Sequence, residues 1–283
     1  MASEPARTIA EAYRWQRRLG LTVIAGRSCR IVADPAHPDV WDANHADEVT
    51  AESAAEIESV FADMDAHLAH APRRVVHTDV FTPDAFLARL ALEDFTEWNV
   101  TIQMALEGGL ADRGAEVALR PIASEADWEA LLELVVANHA EQRAAHGLDL
   151  TPEFSKDMVA VYRRKNPDFR FHLAIHDGTP IAYGACGAAP NGAGMIEDLY
   201  TTPSMRRRGV GTGLIAAFVD RLRAAGCHTI FLGALAHDQP KRLYARLGFR
   251  PGTLARMWVG PLRAIWQAPA TPMLAATAKP QPT

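Results

Sequence analysis

The residues best equipped for chemistry are concentrated between Ile196 and Gly213, in the string IEDLYTTPSMRRRGVGTG. Adjacent carboxylates, Glu197 and Asp198, sit in an apolar segment. A Pro-marked turn follows at Pro203, and Arg206, Arg207 and Arg208 lead into Gly209, Gly211 and Gly213. Leu214, Phe218 and Leu222 then recur at i, i+4 and i+8, the spacing of a helix with one apolar face. A strand that turns through glycines into a helix start is an anion trap. Glycine permits left-handed backbone and close approach of a ligand. The first amides of a helix lack internal partners, and the helix dipole adds positive charge at the same point. The chemistry implied is binding of a phosphate or pyrophosphate beside a strand that carries carboxylates.

Two common nucleotide loops do not fit. The P-loop needs G-x-x-x-x-G-K-[ST], and no Lys follows these glycines; the dinucleotide fingerprint needs G-x-G-x-x-G. Arg206-x-x-Gly209-x-Gly211 instead resembles the [Q/R]-x-x-G-x-[G/A] loop that holds the coenzyme A pyrophosphate in the GNAT superfamily of N-acetyltransferases. Leu199-Tyr200-Thr201 with Pro203 resembles the L-Y-V-x-P strand end of that family, with Thr201 in place of the usual Val. Downstream, Gln239–Phe249 resembles the A-x-x-L-Y-x-K-x-G-F block. The resemblance implies acetyl-CoA as cosubstrate, held by Leu199, Tyr200 and Thr201 and by the loop Arg206, Arg207, Arg208, Gly209, Val210, Gly211, Thr212 and Gly213. It also implies that Tyr244 protonates the thiolate as it leaves. Asp238 stands where the family often has Asn, and is expected to turn away from an anionic cofactor.

Acetyl transfer to an amine needs a bound thioester, an uncharged amine and a dipole near the carbonyl oxygen. The backbone of Leu199–Thr201 is expected to pair with the pantetheine arm and polarise the carbonyl. A carboxylate must take the ammonium proton, and Glu197 is the candidate general base. Strict alternation puts Glu197 with Leu199 and Thr201 on one face, and Asp198 with Tyr200 on the other. The pair resembles the E-D on this strand in polyamine acetyltransferases, so Asp198 is assigned a substrate contact. The expected function is N-acetylation of a small amine, and the Glu197/Asp198 pair favours a cationic one. A non-catalytic acyl-CoA-binding module and a GNAT acting on a protein amine stay open beside it. No metal is expected: His67 with His70, and His37 with His45, lack a third ligand nearby. His139 and His146 fall in the segment that lines the acceptor pocket in this family, and are expected to face solvent.

The elements that must position these groups follow from pattern. Strands are expected at Glu116–Ile122, Phe171–Ile175, Pro180–Cys186, Gly194–Thr201, Thr229–Leu232 and Leu254–Val259, and helices at Glu125–Arg143, Pro152–Arg164, after Gly213, and Asp238–Arg246. This β-α-α-β-β-β-α-β-α-β order matches the GNAT fold, a mixed α/β sheet flanked by helices. The N-terminal half is less legible. Ile57, Val60, Phe61, Met64 and Leu68 mark a helix face, and Arg74–Val80, Pro83–Leu92 and Val100–Leu106 read as strand, helix and strand. That run resembles the end of a GNAT domain without its loop or tyrosine. The domains expected are therefore a degenerate GNAT-like unit at 1–112, a catalytic unit at 113–267 and a disordered tail at 268–283, joined through the linker-like Glu107–Gly114.

Composition narrows the partners. The net charge is −5, split as −9 over residues 1–115 and +4 over 116–283, so the half with the loop is the basic one. This balance argues against nucleic acid. No apolar run near membrane-spanning length occurs. Cys29, Cys186 and Cys227, odd in number and far apart, suggest free thiols in the cytoplasm. A monomer or homodimer is expected.

Overall fold

The computed structural model describes residues 3–148 and 150–262; the expected disordered tail lies outside them. The N-terminal half runs α1 (Glu4–Arg18), β1 (Thr22–Ala25), β2 (Arg30–Ala33), β3 (His45–Asp47), α2 (Ala54–His67), β4 (Arg73–Thr78), α3 (Asp84–Leu92) and β5 (Thr96–Leu106). The C-terminal half runs β6 (Ala118–Pro121), α4 (Glu125–His146), α5 (Pro152–Lys165), β7 (Phe169–His176), β8 (Thr179–Ala188), β9 (Ala193–Thr201), α6 (Val210–Ala224), β10 (Thr229–Leu235), α7 (Pro240–Leu247) and β11 (Phe249–Leu262). The second series is the order expected from the sequence. The series α1 to β5 repeats α5 to β11 element for element, so the chain is a tandem of two like units.

All eleven strands form one sheet, ordered β1-β2-β3-β4-β11-β5-β10-β9-β8-β7-β6. Parallel pairing occurs at equivalent places in the two halves, β3 with β4 and β9 with β10. The centre is an exchange. β5 of the N-terminal half lies between β10 and β11, while β11 of the C-terminal half lies between β5 and β4. Each half therefore lends its last strand to complete the other's sheet, and β5 runs antiparallel to β11 from Phe249↔Leu106 to Val259↔Thr96.

Local chemistry sets the element ends. α2 and α4 begin with capping boxes, Ser53 with Glu56 and Ser124 with Asp127, each typically worth about 1 kcal/mol. α5 begins at Thr151-Pro152, and α4 and α7 end on left-handed Gly147 and Gly248. The two faces of the C-terminal sheet bury separate cores. One packs Phe169, Phe171, Met195 and Phe231 under α1, α4 and α5; the other packs Ile196, Leu232 and Phe249 under α6 and α7. Residues 107–117, which include the linker-like Glu107–Gly114, are hydrogen-bonded to the C-terminal half. Glu107 and Ala111 donate to Gly248 and Leu247 at the end of α7, and Ala115 donates to Gly209 at the start of α6.

Candidate active site

β9 and β10 pair only as far as Ile196↔Leu232; beyond that β9 continues to Thr201 and β10 to Leu235 without further pairing. The opposite edge of β9 stays paired to β8, with one extra residue between Glu197 (opposite Ala185) and Tyr200 (opposite Tyr183). That bulge centres on Asp198, whose φ is +55°. It corrects the alternation expected from the sequence. Leu199 packs towards α6, beside Leu214 and Phe218, whereas Asp198 accepts a 2.8 Å hydrogen bond from Tyr162 of α5 on the other face. Glu197 is on that other face too, its carboxylate bordering Gly233 with Gln103. The extra residue turns both acids to one side, where strict alternation would split them.

Glu197 and Asp198 are crowded by neighbouring groups yet keep some accessible surface. Burial, then the adjacent Asp198, raises the Glu197 carboxyl to about 8. Asp198 is also raised by burial, against the opposing pull of Lys165 and the Tyr162 hydroxyl. Tyr244 of α7 is buried against Phe249, and its phenol is raised by burial, then by the charges of Glu197 and Asp238. Asp238 accepts from the amide of Gln239 at 2.6 Å, at the start of α7.

The glycine loop is shaped by two left-handed residues, Arg207 (φ +60°) and Gly209 (φ +79°). The first helical bond of α6 runs from the Gly213 amide to Gly209 O, 2.9 Å. The amides of Val210, Gly211 and Thr212 precede it and have no partner within the helix. The three glycines are not equivalent. A Cβ on Gly211 would meet nothing nearer than Thr201 Oγ1 at 3.8 Å, whereas one on Gly213 would overlap the carbonyl of Ala115. Gly211 thus keeps the loop open, and Gly213 lets the 107–117 connection pass. Arg207 and Arg208 are exposed. Arg206 is committed within the protein: Nε donates to Thr201 O at 2.9 Å and Nη2 to Glu141 of α4 at 2.7 Å. Val210 is buried beneath the loop. Open amides, a glycine with free space above it and an unpaired β9 edge from Glu197 to Thr201 fit a pyrophosphate followed by a linear amide chain.

The other face holds Tyr200, which the strand-end motif marked, among residues that no motif singled out. Tyr200, raised to about 12 by burial and then by Glu141, donates to Glu141 at 2.6 Å. Asn138 donates to the Tyr183 hydroxyl at 3.0 Å. His139 is half-buried, bonded to Ser155 and packed on Phe154, in place of the solvent-facing position expected. From the N-terminal half come Tyr13 and Arg17 of α1, which lies against β9, β10 and β11, and Gln103 of β5, opposite Gly233. Gln103 reaches Glu197 through the strand exchange and Tyr13 and Arg17 through the packing of α1 across the sheet, so motif spacing carried no signal of them.

The N-terminal half contains a closed counterpart of this site. Ala46 pairs with Val76 as Ile196 pairs with Leu232, so Asp47 and Glu48 stand where Glu197 and Asp198 stand, and Glu48 again has a positive φ, +50°. Here arginines hold the acids. Arg18 contacts Asp47 at 2.6 Å and Glu48 at 2.7 Å. Burial opposes ionisation of Asp47, but His45, Arg17 and Arg18 keep its carboxyl well below the usual range. Where α6 opens on glycines, α2 opens on Glu56, whose Oε2 accepts from the amides of Glu52 and Ser53. This helix start is closed by a capping box in place of a glycine loop.

A splayed parallel strand pair, a bulge at the splay and an open helix start beside it define a GNAT-type acyltransferase fold. Residues 128–249 match the model of the acetyltransferase (GNAT) family. The architecture is shared over nearly the whole chain with a GCN5-related N-acetyltransferase from Kribbella flavida, at 20% identity, a TM-score of 0.67, and 94% and 98% of the two chains covered. A tandem GNAT protein from the clavulanic acid biosynthesis pathway aligns at 14% identity and a TM-score of 0.56, over 83% of this chain and 79% of that one. In sequence the chain resembles the aspartate/glutamate leucyltransferase of Brucella ovis, 33% identical over 93 residues. That match spans about a third of either protein, 33% of this chain and 36% of the relative. Among the described residues, no helix is long and apolar enough to cross a membrane.

Proposed function

We propose that the chain is an acetyl-CoA-dependent N-acetyltransferase that acetylates a small primary amine at the splay between β9 and β10. The observation that supports this most directly is the position of Glu197. It is a carboxyl group raised to about 8, on the bulge, at the start of an unpaired strand edge that leads to the open end of α6. Acetyl-CoA, when bound, supplies an activated acetyl thioester. The amides of Val210–Thr212 receive its pyrophosphate, and the free edge of Leu199–Thr201 aligns its arm and offers amides to the carbonyl oxygen.

Glu197 takes the ammonium proton at its carboxylate, and Asp198 holds the cationic amine beside it. A base with a raised pKa is better matched to an amine than an ordinary carboxylate is. Tyr244 keeps its phenolic proton because burial and the acids oppose its loss, and it delivers that proton to the departing sulfur. Leucyl transfer, the activity in the name of the Brucella relative, would need a leucyl donor. The open loop at Gly211 favours a pyrophosphate-bearing donor.

The test is free-thiol release from acetyl-CoA by the purified protein against a panel of amines. Amine-dependent release is expected in the wild type, and loss of it at neutral pH in Glu197→Gln. Tight acetyl-CoA binding without release by any amine would leave an acyl-CoA-binding module as the better reading.

A further inference from the structure

On the Glu197 face of the sheet, the N-terminal half presents two buried side chains with unused hydrogen-bonding capacity. Arg17 is 3% exposed and stacks 4.3 Å from the ring centroid of Tyr13. Its Nη2 stands 3.9 Å from Asp47, while Nε and Nη1 have no hydrogen-bond partner among the described residues. Arg18 hydrogen-bonds both oxygens of Asp47, so Arg17 contributes charge there without a hydrogen bond. Gln103 is 1% exposed, and both its amide nitrogen and its amide oxygen are likewise without partners. These groups belong to one place. Arg17 is on α1, which lies across β9 and β10. A Cβ built on Gly233 would stand 3.2 Å from Glu197 Oε1 and 3.4 Å from Gln103 Nε2, so the acid and the amide border the same notch.

A buried guanidinium with idle donors is costly, and its planar fork matches a carboxylate. A plain diamine or polyamine fits this face badly, because its second cation would approach Arg17 and the buried Lys165. We propose that the acceptor is a zwitterion of amino-acid type, its ammonium at Glu197 and Asp198, its carboxylate on Arg17, and Gln103 bonded to the polar atoms between. The assignment of the ammonium rests on the acetyltransferase reading; the carboxylate contact does not.

The experiment is thermal unfolding with coenzyme A present, using matched probes: leucine and isopentylamine, phenylalanine and phenethylamine, lysine and cadaverine. At least one amino acid is expected to raise Tm at millimolar concentration while its decarboxylated partner does not. Arg17→Met should weaken that binding about ten- to a hundredfold, the usual worth of a hydrogen bond to a charged group, and Arg17→Lys should restore part of it. If Arg17→Met does not fold, Gln103→Leu and the wild-type probe pairs decide. Equal shifts by amino acid and amine, or no shift by any amino acid, overturn the proposal. Thiol release is scored separately. An amino acid that binds but is never acetylated would sink the transferase reading and leave the anion site standing. Acetylation of decarboxylated amines alone would do the reverse.

Discussion

Glu197 is an acid whose surroundings oppose its ionisation, and that has two measurable consequences. Its folded pKa of about 8 lies above the ordinary 4.5, so kcat/KM should climb with pH through about 8, with an apparent pKa that belongs to the Glu197–Asp198 pair. In Glu197→Gln that limb should vanish, leaving only the rise due to the amine's own deprotonation. Stability should move the other way. The native state binds more protons than the unfolded state between the two values, so this contribution is complete below 4.5 and is lost as pH rises through about 8. Tm should fall over that window in the wild type, and less in Glu197→Gln. Tyr244→Phe keeps the buried ring and removes only the proton donor. It should lower kcat by about 10²–10⁴-fold with little change in the KM for acetyl-CoA, if chemistry limits turnover. Both residues were legible because each lies in a local motif. Arg17 and Gln103 were not, because nothing within a few residues of either one reports the opposite half.

At the scale of elements, the loop glycines give the sharpest contrast. Gly211→Val should fold normally, since its side chain enters open space, and should lose acetyl-CoA affinity by calorimetry because that is the space the ligand needs. Gly213→Ala should instead be destabilised by about 1–3 kcal/mol through overlap with Ala115, read by chemical denaturation. Unchanged affinity in Gly211→Val would place the anion elsewhere. The sequence marks both glycines alike, because spacing shows that a helix starts here but not what crosses it. The bulge at Asp198 was hidden for a related reason: alternation assumes one residue per partner, and an inserted residue leaves no compositional mark. Helix α1 is strongly amphipathic, but no motif marks it, and its buried inner face runs from Ile9 and Ala12 into Gln16 and Arg17. Periodicity shows that such a face is covered, and does not show that the other half of the chain covers it.

For the molecule as a whole, element order made the tandem legible, but pairing between strands more than a hundred residues apart could not be read from it. The exchange makes the halves mutually dependent. Residues 113–267 produced alone would lack β5 and leave the facing edges of β10 and β11 unpaired. Such a fragment is expected to be insoluble or to unfold without cooperativity, whereas the full chain should melt in one transition; a soluble fragment that binds acetyl-CoA would contradict this. The same feature imposes an order on birth at the ribosome. β4 is complete at Thr78, yet the strand that covers its edge begins at Phe249, after more than half the chain has been made. At about 5–20 residues per second, that edge waits on the order of ten to thirty seconds for its partner. During that interval only Arg73 and Arg74 at its start discourage a stranger's strand from pairing first. The nascent N-terminal half therefore carries an open strand edge until its last neighbour arrives.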